Sequence, residues 1–379
     1  QDRGLNGLFL RQTVKDLWKS LEMDKEGVLV AMSGGVDSSV AALLLKEQGL
    51  DVLGVTFQFV RAQERDSATA SGCSSVATTE RARHVCTRLE IPHHLIDHTD
   101  DFERRVIDPF CDEYEAGGTP NPCVQCNASV KWPSLLETAS ALECSYVATG
   151  HYARIRREGD RTQLLRGTDR GKDQSYALYS LPQTALERTL FPLGSMTKES
   201  VRTVAQMASL PTSGTKESQD ICFIPEGDYR TFLARRLWML PGPIQDTEGH
   251  VLGTHQGLPS YTIGQRKGLG IPAGRPLYVI EKDKDENRLV VGPREALCKR
   301  AFLVAGVNWV SVPSPATGTK LEAELEVRYR TRTLQAELQV QRGDTVHVDL
   351  PDHDQAIAPG QSAVWYRGDV LLAGGIIQL

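Results

Sequence analysis

The feature that most constrains this chain is the hexapeptide SGGVDS at residues 33–38, which joins two segments of different periodicity. The apolar run at residues 27–32 is typical of a buried strand, and residues 38–48 carry apolar side chains at helical spacing. A strand, a glycine turn and a helix direct backbone N–H groups and a helix N-terminus at a bound phosphate. The alternative is a tight turn whose glycines serve only the backbone. The hexapeptide therefore predicts an α/β domain with a candidate phosphate site.

Strand and helix patterns continue to alternate from residue 27 to about residue 210. The pattern predicts strands at residues 51–57, 93–97 and 145–149, and helices at residues 78–89 and 101–110. Such alternation indicates a parallel sheet with helices on both faces. Ligands of these sheets lie at the carboxyl ends of the strands, where the hexapeptide also lies. A helical pattern at residues 1–26 predicts a further helix packed on this domain.

The rest of the chain has a different character. Residues 211–285 are rich in Gly and Pro, which predicts a small mixed central domain. Strands follow at residues 321–330, 345–350, 362–366 and 370–377, which predicts a C-terminal antiparallel β-barrel or sandwich. Alternation along residues 321–330 places Tyr329 on the core face. We predict three domains, at residues 1–210, 211–285 and 286–379.

Composition limits the class of protein. The chain has 379 residues, of which 40% are hydrophobic and 24% charged, so it is long enough for several cores and is not typical of a disordered protein. No apolar run is long enough to span a bilayer, and the first residues match no signal peptide. The net charge of −5 argues against a generally basic nucleic-acid coat. A local basic face remains compatible with it, because residues 154–172 hold seven basic and three acidic side chains. We expect a cytoplasmic protein without a membrane partner.

Three of the eight cysteines have unusual surroundings. Cys123 and Cys126 lie in the segment TPNPCVQCN, at residues 119–127, ahead of a predicted helix. A helix N-terminus favours the thiolate, so Cys126 is a candidate nucleophile; the alternative is half of a zinc site. Cys222 follows a polar run that predicts an exposed loop, and Phe223 and Ile224 could anchor that loop.

The hexapeptide resembles the pyrophosphate-binding loop of the PP-loop ATP pyrophosphatases. Together with the two cysteine segments, the chain resembles the tRNA-specific 2-thiouridylases over nearly its whole length. The further matching segments are GHYAR at 150–154, KDQSY at 172–176, YTIGQRKG at 261–268, VRYR at 327–330 and APGQ at 358–361. The resemblance implies a PP-loop fold and ATP-dependent thiolation of the wobble uridine of tRNA.

The resemblance also implies a mechanism and its partners. ATP, with Mg²⁺, adenylates the C2 oxygen of the uracil, and pyrophosphate leaves into the glycine loop. A persulfide on Cys222 then supplies sulfur, Cys126 acts as its partner thiol, and the two end as a disulfide. The implied partners are the tRNAs for Lys, Glu and Gln and a sulfur-donor protein.

Site residues follow from the matching positions. Those matching ATP contacts are Ala31, Met32, Ser33, Gly34, Gly35, Val36, Asp37, Ser38, Phe57 and Gly150. Those matching tRNA contacts are Asn121, Pro122, Cys123, His151, Lys172, Asp173, Gln174, Arg328, Tyr329 and Gln361, with 121–123 at the target base. The target base must leave the anticodon stack to reach this site.

Several alternatives stay open. Some family members have Asp in place of Cys123, as a general acid/base, and a thiol has a higher unperturbed pKa. Members with C-x-x-C resemble a second type, in which Cys123, Cys126 and Cys222 would ligate a [4Fe–4S] cluster. Arg328 could bind phosphate while Tyr329 either stacks on RNA or fills the core. His93 and His94 could suggest a metal, but sheet-edge histidines are the more ordinary interpretation. The competing functions are another PP-loop ligase with a small-molecule substrate and a tRNA-binding relative without catalysis.

Overall fold

A computed structural model describes residues 27–60, 76–215, 221–224, 228–272, 274–351 and 356–378. The helix predicted at residues 1–26 and the polar run before Cys222 lie outside these ranges.

The N-terminal domain is built on a five-stranded parallel sheet. Its strands are β1 Gly27–Ala31, β2 Asp51–Gln58, β3 His93–Asp97, β4 Cys144–Ala148 and β7 Thr189–Leu190. The spatial order is β3-β2-β1-β4-β7, so the glycine loop leaves the central strand. The parallel sheet predicted from the sequence is confirmed.

Helices cover both faces of this sheet. They are α1 Val36–Glu47, α2 Val76–Arg88, α3 Thr99–Phe102, α4 Asp108–Glu115, α5 Pro122–Cys126, α6 Trp132–Ala141, α7 Gln183–Leu186 and α8 Lys198–Met207. The π-helical turns Glu103–Ile107 and Asn127–Lys131 join α3 to α4 and α5 to α6. Val28 and Val30 pack against α1, α2 and α8, whereas Leu29 points to the opposite core, formed with α3 to α6. Period-two alternation along β1 thus explains the two layers.

The central domain follows helix α9, Tyr229–Ala234. Its sheet contains β8 Gly242–Asp246, β9 Val251–His255, β10 Tyr278–Asp283 and β11 Arg288–Gly292, in the order β10-β11-β8-β9. Ile244, Val279 and Leu289 are fully buried between this sheet and its loops. The mixed central domain therefore has a core of its own.

The C-terminal domain is a closed six-stranded antiparallel barrel. Its strands are β12 Ala301–Trp309, β13 Lys320–Glu326, β14 Leu334–Val340, β15 Val346–Asp349, β16 Ser362–Arg367 and β17 Val370–Gln378. The order is β12-β15-β14-β13-β16-β17, and β12 pairs with β17 to close it. Trp309 and Trp365 stack in the core, with ring centroids 6.1 Å apart. The predicted barrel is confirmed.

A hairpin that the sequence did not reveal connects the first domain to the barrel. Strands β5 Ala153–Glu158 and β6 Arg161–Arg166 pair with each other, and Leu164 and Leu165 pair with β17. The barrel sheet thereby grows to eight strands, two of which come from the N-terminal part of the chain. The boundaries at residues 210 and 285 stay predictions.

The predicted strand at residues 321–330 is too long. Strand β13 ends at Glu326, which is buried because it forms an ion pair with Arg166. The chain then turns, with Arg330 at φ +58°, and the Thr331 N–H donates to the Arg328 carbonyl. Tyr329 is 36% exposed, so the alternative in which it fills the core, which the alternation favoured, is wrong. The alternation does not reach Tyr329 because the strand ends at Glu326. The carboxylate of Glu326 is buried with Arg166, although a period-two pattern assigns that position to solvent.

Among the described residues, no helix combines the length and the apolar character that a bilayer crossing requires.

Candidate active site at the phosphate loop and the cysteine helix

The glycine loop is a compact turn between β1 and α1. Gly34 has φ +70°, and a Cβ added there would collide with the Thr78 carbonyl oxygen, so only glycine fits. The Ser33 N–H donates to Ser38 Oγ over 3.1 Å, and the two hydroxyl oxygens lie 3.2 Å apart. Helix α1 begins at Val36 with a glycine before it, which leaves its first amides to a ligand or solvent. The geometry suits a bound polyphosphate.

Gly150, in the loop after β4, lies directly against this turn. A Cβ added at Gly150 would be 2.8 Å from both the Asp37 carbonyl carbon and the Ser38 nitrogen. Met32 is buried, and its carbonyl accepts a 2.7 Å hydrogen bond from Thr56 Oγ1. Phe57 is also buried, at the end of β2. The structure therefore brings the ATP-matching positions together at the carboxyl edge of the sheet.

A buried lysine that no sequence pattern indicates contacts the loop. Lys198 Nζ lies 2.7 Å from both carboxylate oxygens of Asp37, and Tyr152 Oη donates to Asp37 Oδ1 over 2.7 Å. Lys198 opens α8, whose first turn is capped by Thr197 Oγ1 accepting from the Ser200 N–H. An N-cap threonine followed by lysine is common in solvated helices, so only the packing of α8 on α1 reveals this cation.

Cys123 and Cys126 lie on the helix α5. Asn121 Oδ1 accepts from the Val124 N–H over 3.3 Å, and Pro122 occupies the first helical turn. Cys123 is exposed and Cys126 is buried. Cys123, rather than Cys126, therefore lies in the first turn, where the helix dipole favours a thiolate, and this corrects the position expected for Cys126. The helical run continues through the π-turn into α6.

Cys222 lies in the short described segment 221–224. Phe223 is buried, with its ring centroid 5.3 Å from that of Phe110 and 5.7 Å from that of Phe102. Cys222 is partly buried and packs against the same apolar cluster that contains Cys126 and Phe57. All three site cysteines are thiols rather than half-cystines. The structure thus brings the two cysteine segments to one side of the sheet.

The side chains that could ligate a metal ion are those of His, Cys, Asp and Glu. In the described part of the chain, one group of three or more His, Cys, Asp or Glu brings its ligand atoms within 4.8 Å, namely Asp246, Glu248 and His250. Thiolates of a tetrahedral zinc site lie about 3.8 Å apart, so the three cysteines are not arranged for one zinc ion. His93 is on the edge strand β3, where its Nε2 lies 2.9 Å from Thr56 Oγ1 and burial lowers its pKa.

The KDQ segment is held by internal bonds. Asp173 is buried: its Oδ1 accepts from the Gly167 and Ser175 N–H groups, and its Oδ2 lies 3.4 Å from Arg166 Nη1. Gln174 Oε1 accepts from the Tyr152 N–H over 3.0 Å. Asp173 and Gln174, which were predicted to contact RNA together with Lys172, therefore also hold the loop that carries Lys172.

His151 lies beside this loop in an apolar setting. Its Nδ1 is 2.8 Å from Thr149 Oγ1, and its ring centroid is 5.5 Å from that of Trp132. Burial, with a smaller contribution from Lys131, holds the pKa of His151 well below its ordinary value. The ring is therefore neutral at physiological pH and does not offer a cation to phosphate.

Most of the basic run at residues 154–172 is neutralised within the protein. Arg154 and Arg170 both pair with Asp369, Arg156 pairs with Glu158, and Arg166 pairs with Glu326 at 2.6 Å. The Arg166 guanidinium also stacks on Tyr366, 3.4 Å from the ring centroid. This run mainly fastens the hairpin to the barrel.

The barrel turn at residues 328–330 faces the cysteine helix. Arg328 is exposed, and the Tyr329 ring centroid lies 5.9 Å from that of Tyr176. Burial raises the pKa of Tyr329, and Cys123 lies near enough to act on the phenol electrostatically. Gln361, by contrast, uses its Nε2 to donate to the Thr119 carbonyl over 2.6 Å, just before α5.

Comparison with known proteins agrees with this arrangement. Family models match residues 26–226 (tRNA methyl transferase HUP domain), 230–293 (tRNA methyl transferase PRC-barrel domain) and 299–377 (aminomethyltransferase beta-barrel domain). The tRNA-specific 2-thiouridylase MnmA of Heliobacterium modesticaldum is 46% identical over 361 residues, covering 93% of this chain and 92% of the relative. The 2-thiouridylase of Pelotomaculum thermopropionicum is 44% identical, covering 94% and 98%.

Solved structures show weaker similarity. The U34-tRNA thiolase NcsA of Methanococcus maripaludis, with its [4Fe-4S] cluster, gives a TM-score of 0.37 at 16% identity, covering 60% of this chain and 72% of that one. A 4-thiouridine synthetase in complex with RNA and ATP gives 0.38 at 17% identity, covering 55% and 50%. The sequence relatives, which extend over more than nine-tenths of both chains, decide the assignment. The chain belongs to the tRNA-specific 2-thiouridylase family.

Proposed function

We propose that the chain transfers sulfur to C2 of the wobble uridine of tRNA, in a reaction driven by ATP. One observation carries the proposal. Cys126 lies in, and Cys222 packs against, the apolar cluster that also contains Phe57, and Phe57 lies near the end of β2, at the sheet edge where the glycine loop and Gly150 form a phosphate cradle. A nucleotide site and two thiols on one edge suit activation of an oxygen followed by its replacement with sulfur.

The first step activates the base. The uracil C2 oxygen attacks the α-phosphorus of ATP, the bond to the β-phosphate breaks, and pyrophosphate leaves with its electron pair. The glycine loop and the first turn of α1 hold the departing phosphates. Lys198 neutralises Asp37, which would otherwise repel them. The Asp37 carboxylate is a hard oxygen donor of the kind that Mg²⁺ prefers, so it is the proposed magnesium ligand.

The second step delivers sulfur through Cys222. A sulfur-donor protein leaves a persulfide on this thiol, and its terminal sulfur attacks C2 while AMP departs with the former oxygen. Cys126 then attacks the Cys222 sulfur, so that the S–S bond breaks and the thiocarbonyl sulfur keeps the electron pair. The transferred sulfur is reduced, the two thiols are oxidised to a Cys126–Cys222 disulfide, and an external thiol reductant restores them.

A cluster route uses the same side chains differently. Cys123 and Cys126 are three residues apart on one helix, and Cys222 packs against the apolar cluster that includes Cys126, so the three cysteines are the proposed ligands of a [4Fe–4S] cluster with one open iron. Such a cluster would supply an iron at which the delivered sulfur is held. In the persulfide route, Cys123 instead lies with Asn121 and Pro122 at the target base. There its thiol takes the acid/base role that an Asp carboxyl group has in some family members.

The tRNA contacts are proposed on the same face. Arg328 is exposed and offers charge to a phosphate, and Tyr329, half-buried beside Cys123, offers a ring to an unstacked base. Lys172 lies on the loop that Asp173 and Gln174 hold. We also propose the tRNAs for Lys, Glu and Gln as substrates and the cytoplasm as the location, as the resemblance to the family implies.

The decisive assay measures 2-thiouridine in nuclease digests of tRNA after incubation with the chain, ATP and a persulfide donor. The proposal predicts 2-thiouridine, with AMP formation that requires tRNA. AMP formation that depends on a metabolite and not on tRNA would instead establish a small-molecule ligase. Iron analysis after anaerobic purification separates the two sulfur routes.

A further inference from the structure

The loop before the cysteine helix is held by both of the other domains. This loop runs from the end of α4 to Asn121, which caps α5. From the barrel, the Pro359 carbonyl accepts from the Thr119 N–H over 3.1 Å, and Gln361 Nε2 donates to the Thr119 carbonyl over 2.6 Å. Thr119 is thus bonded in both directions, as a strand residue would be, by a barrel loop far away in sequence.

The central domain contributes a partly buried cation to the same loop. Lys282, on β10, donates from Nζ to the Gly118 carbonyl over 3.3 Å and to the Tyr261 carbonyl over 3.0 Å. Its ammonium group also lies 5.7 Å from the ring centroid of Tyr114, on α4. Glu113 is the acidic group that acts on it electrostatically. Lys282 therefore links the central sheet to α4 and to the loop that follows.

Close packing shows that the barrel loop is seated tightly. Gly360 has φ +81°, and a Cβ there would lie 2.6 Å from Glu113 Oε1 and 2.8 Å from the Thr119 nitrogen. Gly360 in turn donates its N–H to the Ile377 carbonyl, on strand β17. Close contacts therefore connect strand β17, through Gly360, to Thr119. Thr119 lies two positions before Asn121, the N-cap of the cysteine helix.

We propose that Gln361 and Lys282 are positioning residues, which set the place of Cys123 and Cys126 by holding the carbonyls of Thr119 and Gly118. The cysteine helix is then in its reactive position only when the barrel and the central domain are both seated on the catalytic domain. Gln361 acts through Thr119 on the thiols, rather than by contacting tRNA. This inference rests on the proposed function, because that function is what makes the position of the thiols matter. Its test measures thiol reactivity and does not require thiolation.

The test compares Gln361→Glu with Gln335→Glu, an exposed glutamine on β14 given the same change. Glutamate keeps the shape of Gln361 but replaces the donor with an oxygen that repels the Thr119 carbonyl. Alkylation of Cys126 is followed by mass spectrometry on the full chain without tRNA or ATP. We expect Gln361→Glu to raise the Cys126 alkylation rate about five- to tenfold, through local opening of the loop, with Gln335→Glu unchanged.

Lys282→Met, compared with Lys284→Met at an exposed position on the following turn, should raise the same rate. With tRNA and ATP, Gln361→Glu should lower kcat while the Kd for tRNA and its salt dependence stay at the wild-type values. An unchanged Cys126 rate in both variants overturns the proposal. So does a weaker Kd for tRNA with normal Cys126 reactivity, because that pair of results makes Gln361 an RNA contact. If the chain forms no 2-thiouridine but the Cys126 rates change as expected, only the proposed function fails.

Discussion

Replacing Lys198 with methionine removes a cation from the phosphate loop while keeping most of the buried volume. At 2.7 Å and an effective dielectric constant of about 20, the ion pair with Asp37 is worth about 6 kcal/mol of Coulomb energy. The Asp37 side chain is 33% exposed and Lys198 is desolvated, so the net contribution to stability is only about 1–2 kcal/mol. The fold should therefore survive the substitution.

The effect on catalysis should be larger. Without Lys198, the Asp37 carboxylate keeps only Tyr152 and the proposed magnesium ion as partners, near the place where negative charge develops on the departing pyrophosphate. Loss of one preorganised electrostatic partner costs about 10²–10³-fold in kcat. We expect a loss of about 10²-fold in kcat for Lys198→Met, with a melting temperature a few degrees below that of the wild type.

Release of pyrophosphate from ATP in the presence of tRNA measures this directly. Lys320→Met, at an exposed position on the barrel, is the matched control and should behave as the wild type. If Asp37 and Lys198 act as a pair, the double variant with Asp37→Asn should lose much less than the product of the two single losses. A kcat within threefold of wild type for a folded Lys198→Met would refute the reasoning.

Three further predictions follow from contacts elsewhere. Gly150→Ala should weaken ATP binding by about tenfold or more, measured by equilibrium dialysis, because its Cβ would press on the Asp37 carbonyl carbon and the Ser38 nitrogen; unchanged affinity would contradict the cradle. Arg328→Ala should reduce the salt slope of tRNA binding by about one, and an equal slope removes Arg328 from the phosphate contacts. Burial lowers the pKa of Lys282 to about 8, against 10.5 as its ordinary value, so the folded state loses this proton first. Stability should therefore rise between pH 8 and 10.5 by about 1–2 kcal/mol after allowance for partial exposure, and guanidinium midpoints of Lys282→Met should lack that rise.

The sequence predicted those elements whose characteristic residue pattern lies within one short segment of the chain. A strand, a glycine turn and a helix follow one another within residues 27–48, so hydrophobic period and glycine placement predict both the element and its ligand class. The barrel was predictable for the same reason, since each strand carries its own alternation. The proline and asparagine before Cys123 likewise mark where α5 begins.

The rest depended on contacts between distant residues. Lys198 reaches Asp37 across 161 positions, and Arg166 reaches Glu326 across 160, so neither partner is visible from its own neighbours. Glu326 shows the consequence: a charged residue in an alternating strand suggests solvent, but its arginine comes from a hairpin added to the barrel from the first domain. Tyr329 was misplaced because β13 ends at this ion pair.

The most direct test of the account follows one turnover with labelled sulfur. The chain is loaded from a ³⁵S persulfide donor, separated from it, and mixed with ATP and tRNA; radiolabel in tRNA and AMP are then measured together. Equal amounts of both are expected for the wild type. For Cys222→Ser, pyrophosphate release without label in tRNA is expected. Transfer of label at the wild-type rate by Cys222→Ser would exclude Cys222 as the carrier of the transferred sulfur.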